Sequence, residues 1–252
     1  MLSSPSAAYF AIISDIHANI DALTAVLKDI ENWPVRGIFC LGDVVGYGAE
    51  PKRCVEMIME TCALTVQGNH EALASLTEGE VAAGCRKAVS APIALARRQL
   101  DDQQMSWMTQ LPLAANIDPV MLSHAALNNP EYFHYIDEAH EAEAHFAAQE
   151  TFVNFHGHTH VPAIWEDDGM GITCYIPSDM PVRLDERHRY AVNVGSVGQP
   201  RDSDPRASYT LYDFEERMLV HRRVEYDIAR AQARIRKAGL PAHNAQRLKR
   251  GE

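Results

Sequence analysis

Apolar and polar positions follow two rhythms along the chain. Residues 8–14 form a short unbroken apolar run, as in a strand buried on both faces, and it ends in the polar turn Asp15-Ile16-His17. Over residues 19–33 the period lengthens. Ile20, Leu23, Val26, Leu27 and Ile30 recur at helical spacing, and Pro34 follows the end. The unit then returns. Residues 37–41 read as a strand closed by Gly42-Asp43 and a glycine-rich loop, residues 51–61 as a helix, and residues 63–67 as a third strand ending at Gly68-Asn69-His70-Glu71. Strand, polar turn and helix repeated at roughly thirty-residue spacing is the βαβ pattern.

Residues 75–111 read as mainly helical, with an interruption at Pro92. A strand is expected over 120–124, a polar helix over 137–150 and a strand over 151–156. The last third is mostly strand, in runs at 162–166, 172–176, 189–194, 207–214 and 218–225 separated by turn residues. Met1 to Ser6 read as a loose terminus of small residues. The whole is α/β with a β-rich second half.

Composition narrows the function classes. The 252 residues hold 34 acidic and 23 basic side chains, a net charge of −11, which argues against a strong nucleic-acid surface or broad attraction to anionic lipid. The last 27 residues depart from this with a local +5 and read as a basic amphipathic helix and a tail, with an anion- or partner-binding arm as the sharper alternative. Five cysteines form no CxxC pair and leave one over, the usage of reduced thiols. No run reaches the ~20 apolar residues of a membrane span, and the N-terminus lacks a basic region ahead of its apolar stretch. A soluble, cytoplasmic chain is expected.

Histidine is over-used, at 12 residues, and where these residues fall is informative. Five polar clusters each follow an expected strand: Asp15-Ile-His17, Gly42-Asp43, Gly68-Asn69-His70-Glu71, Ser123-His124 and His156-Gly157-His158-Thr159-His160. The carboxyl ends of strands in an open α/β sheet line the crevice where ligands bind, so the clusters converge. Carboxylate, carboxamide and imidazole donors without thiolate suit Mn, Fe, Zn, Co or Ni. In an extended Asp-x-His the two side chains point to one side and can grip one ion; the same spacing relates His158 to His160. Seven candidate ligands sharing a carboxylate suggest two ions about 3.5–4 Å apart, the geometry used for displacement at phosphorus. Taken singly, Asp15 and Asp43 are also good helix caps, Asn69 a turn residue and His124 a core histidine.

In order, D-x-H, G-D, G-N-H-E, H and G-H-x-H resemble the motif series of the calcineurin-like metallophosphoesterase superfamily. Asp15-Ile-His-Ala-Asn-Ile-Asp-Ala-Leu23, Gly42-Asp-Val-Val-Gly-Tyr-Gly48 and Val194-Gly-Ser-Val-Gly-Gln-Pro-Arg-Asp202 are similar to its small prokaryotic phosphodiesterase branch. The resemblance implies a four-layer α/β/β/α sandwich within a single domain over 1–252, with a catalytic sandwich over 7–225 and a basic C-terminal helix and tail over 226–252. It implies one ion held by Asp15, His17, Asp43 and His160. A second would be held by Asp43, Asn69, His124 and His158, with His70 off the ions beside the leaving-group oxygen. Two departures stand out. Ala18 replaces a glycine, at a cost if that turn needs positive φ. Gly46 and Gln67 stand where the superfamily's phosphoprotein phosphatases carry aspartate and arginine, which argues against that activity.

The expected chemistry is hydrolysis of a small or nucleotide-like phosphodiester by a hydroxide bridging two divalent ions, with His70 as general acid. A phosphomonoesterase, a dinucleoside polyphosphate hydrolase and a non-enzymatic metal-binding scaffold share the same motifs. Arg201 can pair with a phosphate oxygen, and Asn19 and Tyr47 are further candidate substrate contacts; Asn19 and Asn193 can also steady the ligands. Tyr132, Phe133 and Tyr135 either pack or stack on a base. His134, His140, His145, His188, His221 and His243 fall outside the motifs. His140 and His145, five apart, do not share a helix face and read as surface positions.

Overall fold

The first apolar run becomes β1 (Tyr9–Ile13), and its side chains alternate between two cores. Ala11 and Ile13 pack toward helices, while Phe10 and Ile12 pack toward a second sheet. The computed structural model describes residues 9–252; the expected loose terminus over residues 1–6 and the start of the first strand at Ala8 lie outside the described residues. α1 (Ile20–Ile30) begins at Asn19, whose side chain accepts from the Ala22 N–H at 3.2 Å, and ends ahead of Pro34. β2 (Val35–Cys40), α2 (Pro51–Thr61) and β3 (Leu64–Thr65) complete the repeated unit.

The long helical stretch resolves into α3 (Asn69–Ser75), α4 (Glu78–Gly84), α5 (Lys87–Gln99) and α6 (Asp102–Thr109). Contrary to expectation, Pro92 lies inside α5 without ending it. A proline deprives the carbonyl four residues earlier of its donor. That carbonyl, of Ala88, accepts instead from Asn244 Nδ2 at 2.9 Å, so a distant part of the chain repairs the helix.

Then follow β4 (Ala114–Ile117), β5 (Val120–Ser123), a single 3₁₀ turn at Pro130–Tyr132, α7 (Ala139–Ala148), β6 (Val153–His156), β7 (Ala163–Asp167) and β8 (Ile172–Tyr175). β9 (Val182–Arg183), β10 (Arg189–Asn193), β11 (Ala207–Asp213), β12 (Met218–Val224), α8 (Ile228–Lys237) and α9 (Ala242–Leu248) complete the chain. Among the described residues the strands form two six-stranded mixed sheets, in the orders β3-β2-β1-β11-β12-β9 and β4-β5-β6-β10-β7-β8. β1, β2 and β3 run parallel in the first, and β5, β6 and β10 in the second. β4 and β9 escape the sequence pattern because AANI and VR carry too little apolar alternation to register.

The sheets face each other across a core of Ile12, Phe39, Leu122, Val153, Phe155, Val192 and Tyr212. α1, α2 and α5 cover the outer face of the first sheet over Leu23, Val26, Val55, Ile58 and Ile93, and α7 covers the second through Ala142 and Phe146 against Trp165 and Ala191. The result is the four-layer α/β/β/α sandwich. His145 corrects the surface expectation. It is fully buried on the inner face of α7, where its Nδ1 accepts from the Leu127 N–H at 3.1 Å; His140 on the same helix is exposed. No helix among the described residues is long and apolar enough to cross a membrane.

The C-terminal segment differs from a helix with a trailing tail. Two helices dock against the first layer, with Ile235, Ala245 and Leu248 packed on Ala49 and Leu95. Asp21 on α1 accepts from Arg230 Nε at 2.6 Å and Arg234 Nε at 3.0 Å, and Glu50 accepts from Arg234 Nη1 at 2.8 Å. Asn244, fully buried, joins α9 to the Ala88 carbonyl and to that of Tyr47 at 3.2 Å. Removing this amide strands two carbonyls. Asn244→Ala is therefore expected to cost about 1–3 kcal/mol of stability in urea unfolding, against a few tenths for an exposed position such as Gln246.

Candidate metal centre

All five clusters lie at the carboxyl ends of the parallel strands, where the two sheets meet. The loops after β1 and β2 lie side by side, with His17 N donating to Asp43 O at 2.9 Å and Ala18 N to Val44 O at 2.8 Å. Their backbone is left-handed: φ is 53° at Asp15, 48° at His17, 53° at Asp43, 68° at His158 and 63° at His160. Such conformations cost side-chain-bearing residues roughly 1–2 kcal/mol each and cluster where function requires them. Ala18, at φ 52°, shares the conformation, so the alanine in place of glycine carries that cost.

The left-handed turns also correct the extended reading of D-x-H and H-x-H. Asp15 and His17 do share one donor group, but His158 and His160 diverge. Asp15, His17, Asp43 and His160 converge in one group, all buried, and Asp43, His124 and His158 in a second. Asp43 belongs to both. Asn69 is alongside the second, with Oδ1 3.1 Å from His124 Nε2.

Hydrogen bonds behind the cluster aim each donor atom. Asp43 Oδ1 accepts from the His70 N–H at 2.8 Å and Asp15 Oδ2 from the His158 N–H at 2.9 Å, which leaves Asp43 Oδ2 and Asp15 Oδ1 for the interior. Asp15 Oδ1 is buried without a hydrogen-bond partner, 3.1 Å from His160 Nε2. The Nδ1 atoms of His17, His124 and His160 lie 3.1, 2.8 and 2.6 Å from the carbonyls of Val45, Leu41 and Gln199, which turns each Nε2 inward. Ring nitrogens therefore face one another: His17 and His160 Nε2 are 3.0 Å apart, and His124 Nε2, on which the Asp43 carboxylate favours a proton, is 3.2 Å from His158 Nδ1. A cation among these converging carboxylate and imidazole atoms would be coordinated by them, so the residues fit divalent ions.

Protonation follows the same geometry. Burial disfavours charge on Asp15 and Asp43, but the surrounding imidazoles, His160 for Asp15 and His124 and His70 for Asp43, hold both well below the usual carboxylate range. Burial pushes His70 and His158 down to about 3 and His160 to about 4. His124 is the exception: burial opposes its charge, but the Asp43 carboxylate beside it raises it to about 9.

His70 joins neither donor group. Its Nε2 is 3.9 Å from Asp43 Oδ2, its ring contacts those of His17 and Tyr47 at 4.8 Å, and Nδ1 is buried without a partner. Gly46 makes room for it, since a Cβ at that position would overlap Nδ1. Gln67 donates to the Met108 carbonyl at 3.0 Å, away from the donor groups. Arg201 lies at the rim, with Nη2 3.1 Å from Gln199 Oε1 and 3.4 Å from the Tyr47 hydroxyl. Asn19 departs from its expected place as a substrate contact. Its oxygen caps α1 and its nitrogen donates to the Gly198 carbonyl at 2.9 Å, so it is spent on backbone and steadies the loop behind His17. Asn193 likewise donates to Gly157 O at 2.6 Å and Thr159 Oγ1 at 3.0 Å, shaping the H-G-H-x-H turn, while His156 faces α7.

Glu71 has a part that the motif alone does not disclose. Its carboxylate accepts from the N–H groups of Asp43, Val44, Val45 and Gly68 at 2.7, 2.8, 3.2 and 3.0 Å and so clamps two ligand loops together. Burial and the Asp43 charge push it up to about 7. Its position as third residue of α3, after a glycine, was the available signal. Beyond the donor groups, Tyr135 stacks on His158 at 4.2 Å and separates two grooves. One, of about 440 Å³, is lined by Thr159, Trp165, Ile176 and Arg201; the other, of about 480 Å³, by Asn69, Leu73, Tyr132 and Phe133.

The calcineurin-like phosphoesterase superfamily domain matches residues 9–217. An uncharacterized protein of Methanocaldococcus jannaschii is 36% identical over 242 residues, covering 94% of this chain and 96% of its own. The crystal structure of a metallophosphoesterase from Sphaerobacter thermophilus superposes with a TM-score of 0.86 at 35% identity, over 97% of this chain and 99% of that one. A hypothetical protein from Pyrococcus horikoshii shares the fold, with a TM-score of 0.79 at 19% identity over 97% and 98% of the two chains.

An ion bound through His124 would have to displace the proton that the Asp43 carboxylate favours there. Divalent-ion affinity is therefore expected to rise about tenfold per pH unit from pH 6.5 and level off near 9, with release of about one proton. Calorimetry in buffers of different ionisation enthalpy reads both; a pH-independent affinity without proton release contradicts the assignment.

Proposed function

The chain belongs to the calcineurin-like phosphoesterase superfamily, and from that premise we propose that it is a dinuclear metal-dependent phosphodiesterase. One observation carries the proposal: two buried donor groups share the single carboxylate of Asp43. Asp15, His17, Asp43 and His160 would hold one divalent ion, and Asp43, Asn69, His124 and His158 the other. Such ions supply positive charge to a phosphoryl group and lower the pKa of bound water toward neutrality. Imidazole and carboxylate donors accept Mn, Fe, Zn, Ni or Co, and manganese is our choice for assay.

The chain's own groups do the rest. His70, pushed down to about 3, is a neutral imidazole at working pH and presents an N–H to the phosphoryl or leaving oxygen. Arg201 offers a guanidinium to a phosphate oxygen. Tyr47 lies edge-on to His17 at 4.7 Å and keeps the His17–His70 pair in place. Two grooves, one on either side of the Tyr135–His158 stack, leave room for two substituents on phosphorus, which favours a diester over a monoester. A small, nucleotide-like diester suits their size, with Tyr132 and Tyr135 exposed to stack on a base. Five free cysteines fit a reducing cytoplasm.

Manganese-loaded protein should hydrolyse bis(p-nitrophenyl) phosphate, and Asp43→Asn should abolish this with loss of bound metal. His70→Gln should keep its metal while kcat falls about 10²–10⁴-fold. Full activity in Asp43→Asn, or an inactive wild type across a broad panel of phosphoesters, overturns the proposal. Metal binding with no hydrolysis would mark a scaffold instead.

A further inference from the structure

Arg247 on α9 reaches the crevice loop that carries Tyr47. Its guanidinium carbon lies 5.7 Å from the centre of the Tyr47 ring, and that of Arg201 lies 5.6 Å from the same ring. Tyr47 in turn contacts His17 and His70, and the Arg201 N–H donates to the His160 carbonyl at 3.2 Å. Tyr47 thus links both arginines to the Asp15–His17–Asp43–His160 group, and different parts of the chain bring them to it.

Neither has an ion-pair partner among the side-chain carboxylates of the described residues, although this acidic chain pairs most of its half-buried arginines. Arg189, Arg222, Arg223 and Arg234 all lie on Asp or Glu. Arg201 reaches only Gln199 and the Tyr47 hydroxyl, and its Nε is buried without a partner. Arg247 donates through Nε to the main-chain oxygen of Glu252, whose charge acts on it weakly beside burial and Arg201. Burial, and then the charge of Arg201, pull the Arg247 guanidinium down from its ordinary range, so the two charges feel each other. Holding like charges together costs stability unless an anion joins them.

Their placement is also built. Asn244, one helical turn before Arg247, is fully buried and ties α9 to the Tyr47 carbonyl, the residue both arginines flank. Arg201 is fixed by the His160 carbonyl at its own backbone.

We propose that Arg201 and Arg247 form an anion subsite beside the metal centre that takes a second, uncleaved phosphate of the substrate. The ligand class is a phosphoester that carries two phosphates, such as a nucleoside diphosphate or bisphosphate derivative. The proposal rests on the phosphoesterase reading, with Arg201 nearer the reacting phosphate and Arg247 reserved for the second.

Equilibrium binding separates the two readings. Manganese-loaded full-length protein in a His70→Gln background, which suppresses turnover, is titrated with AMP, ADP and adenosine 3′,5′-bisphosphate. At least one two-phosphate nucleotide should bind ten or more times tighter than AMP. Arg247→Gln should erase that preference, and Arg247→Lys, which keeps the charge but not the planar fork, should retain part of it. Arg250→Gln, an exposed residue of the same segment paired with Glu252, should leave it unchanged. Equal binding of all three nucleotides, a preference that survives Arg247→Gln, or an equal loss in Arg250→Gln overturns the subsite. A preference sensitive to Arg247 in a protein that hydrolyses no phosphoester keeps the subsite and overturns the esterase reading instead.

Discussion

Two carboxylates, each divided between a backbone N–H and the interior of the cluster, organise this molecule. Asp43 binds the His70 N–H with one oxygen, and Asp15, from the first sheet, binds the His158 N–H of the second. The second of these bonds ties the carboxyl end of β1 to that of β6, across the line where the sheets meet. The remaining oxygens face imidazole nitrogens, Asp43 Oδ2 at 3.5 Å from His124 and Asp15 Oδ1 at 3.1 Å from His160. Five of the seven candidate ligands hold left-handed backbone to reach this arrangement. That strain persists because the strands, the Glu71 clamp and the inter-loop hydrogen bonds over-determine the loops.

The four layers follow from the same requirement. Parallel strands bring successive turns to one edge, and two sheets packed face to face bring two such edges together. Between them the apolar side of each strand makes a dry core of Ile12, Phe155 and Tyr212, while the loops above carry the polar groups. Burial then acts on the electrostatics. It keeps His158 and His160 neutral, as ligands must be, while the Asp43 carboxylate favours the charged form of His124.

The C-terminal helices show how remote sequence completes this frame. Asn244 supplies the hydrogen bond that Pro92 denies to Ala88, and it also holds the Tyr47 loop. Arg230 and Arg234 neutralise Asp21 and Glu50 on the first layer. Two of the seven basic residues of this segment are thus spent on docking to acids of the first layer, and Arg247 lies beside Tyr47.

The sequence by itself determined the elements whose physics is local: the apolar run of β1, the helical period of α1, and the polar turns that follow β1, β2, β3, β5 and β6. It also identified the residues that form the two donor groups, because Asp, Asn and His recur at strand ends in an order few structures require. Tertiary structure alone decided how those residues divide. A left-handed turn cannot be read from D-x-H or H-x-H spacing, and it sends His158 and His160 to different groups. The burial of His145, the survival of α5 through Pro92, the diversion of Asn19 to a helix cap and the approach of Arg247 to Tyr47 were illegible for one reason. Each depends on a partner far away in the chain, and the pattern of a segment records its own period, not what will be packed against it.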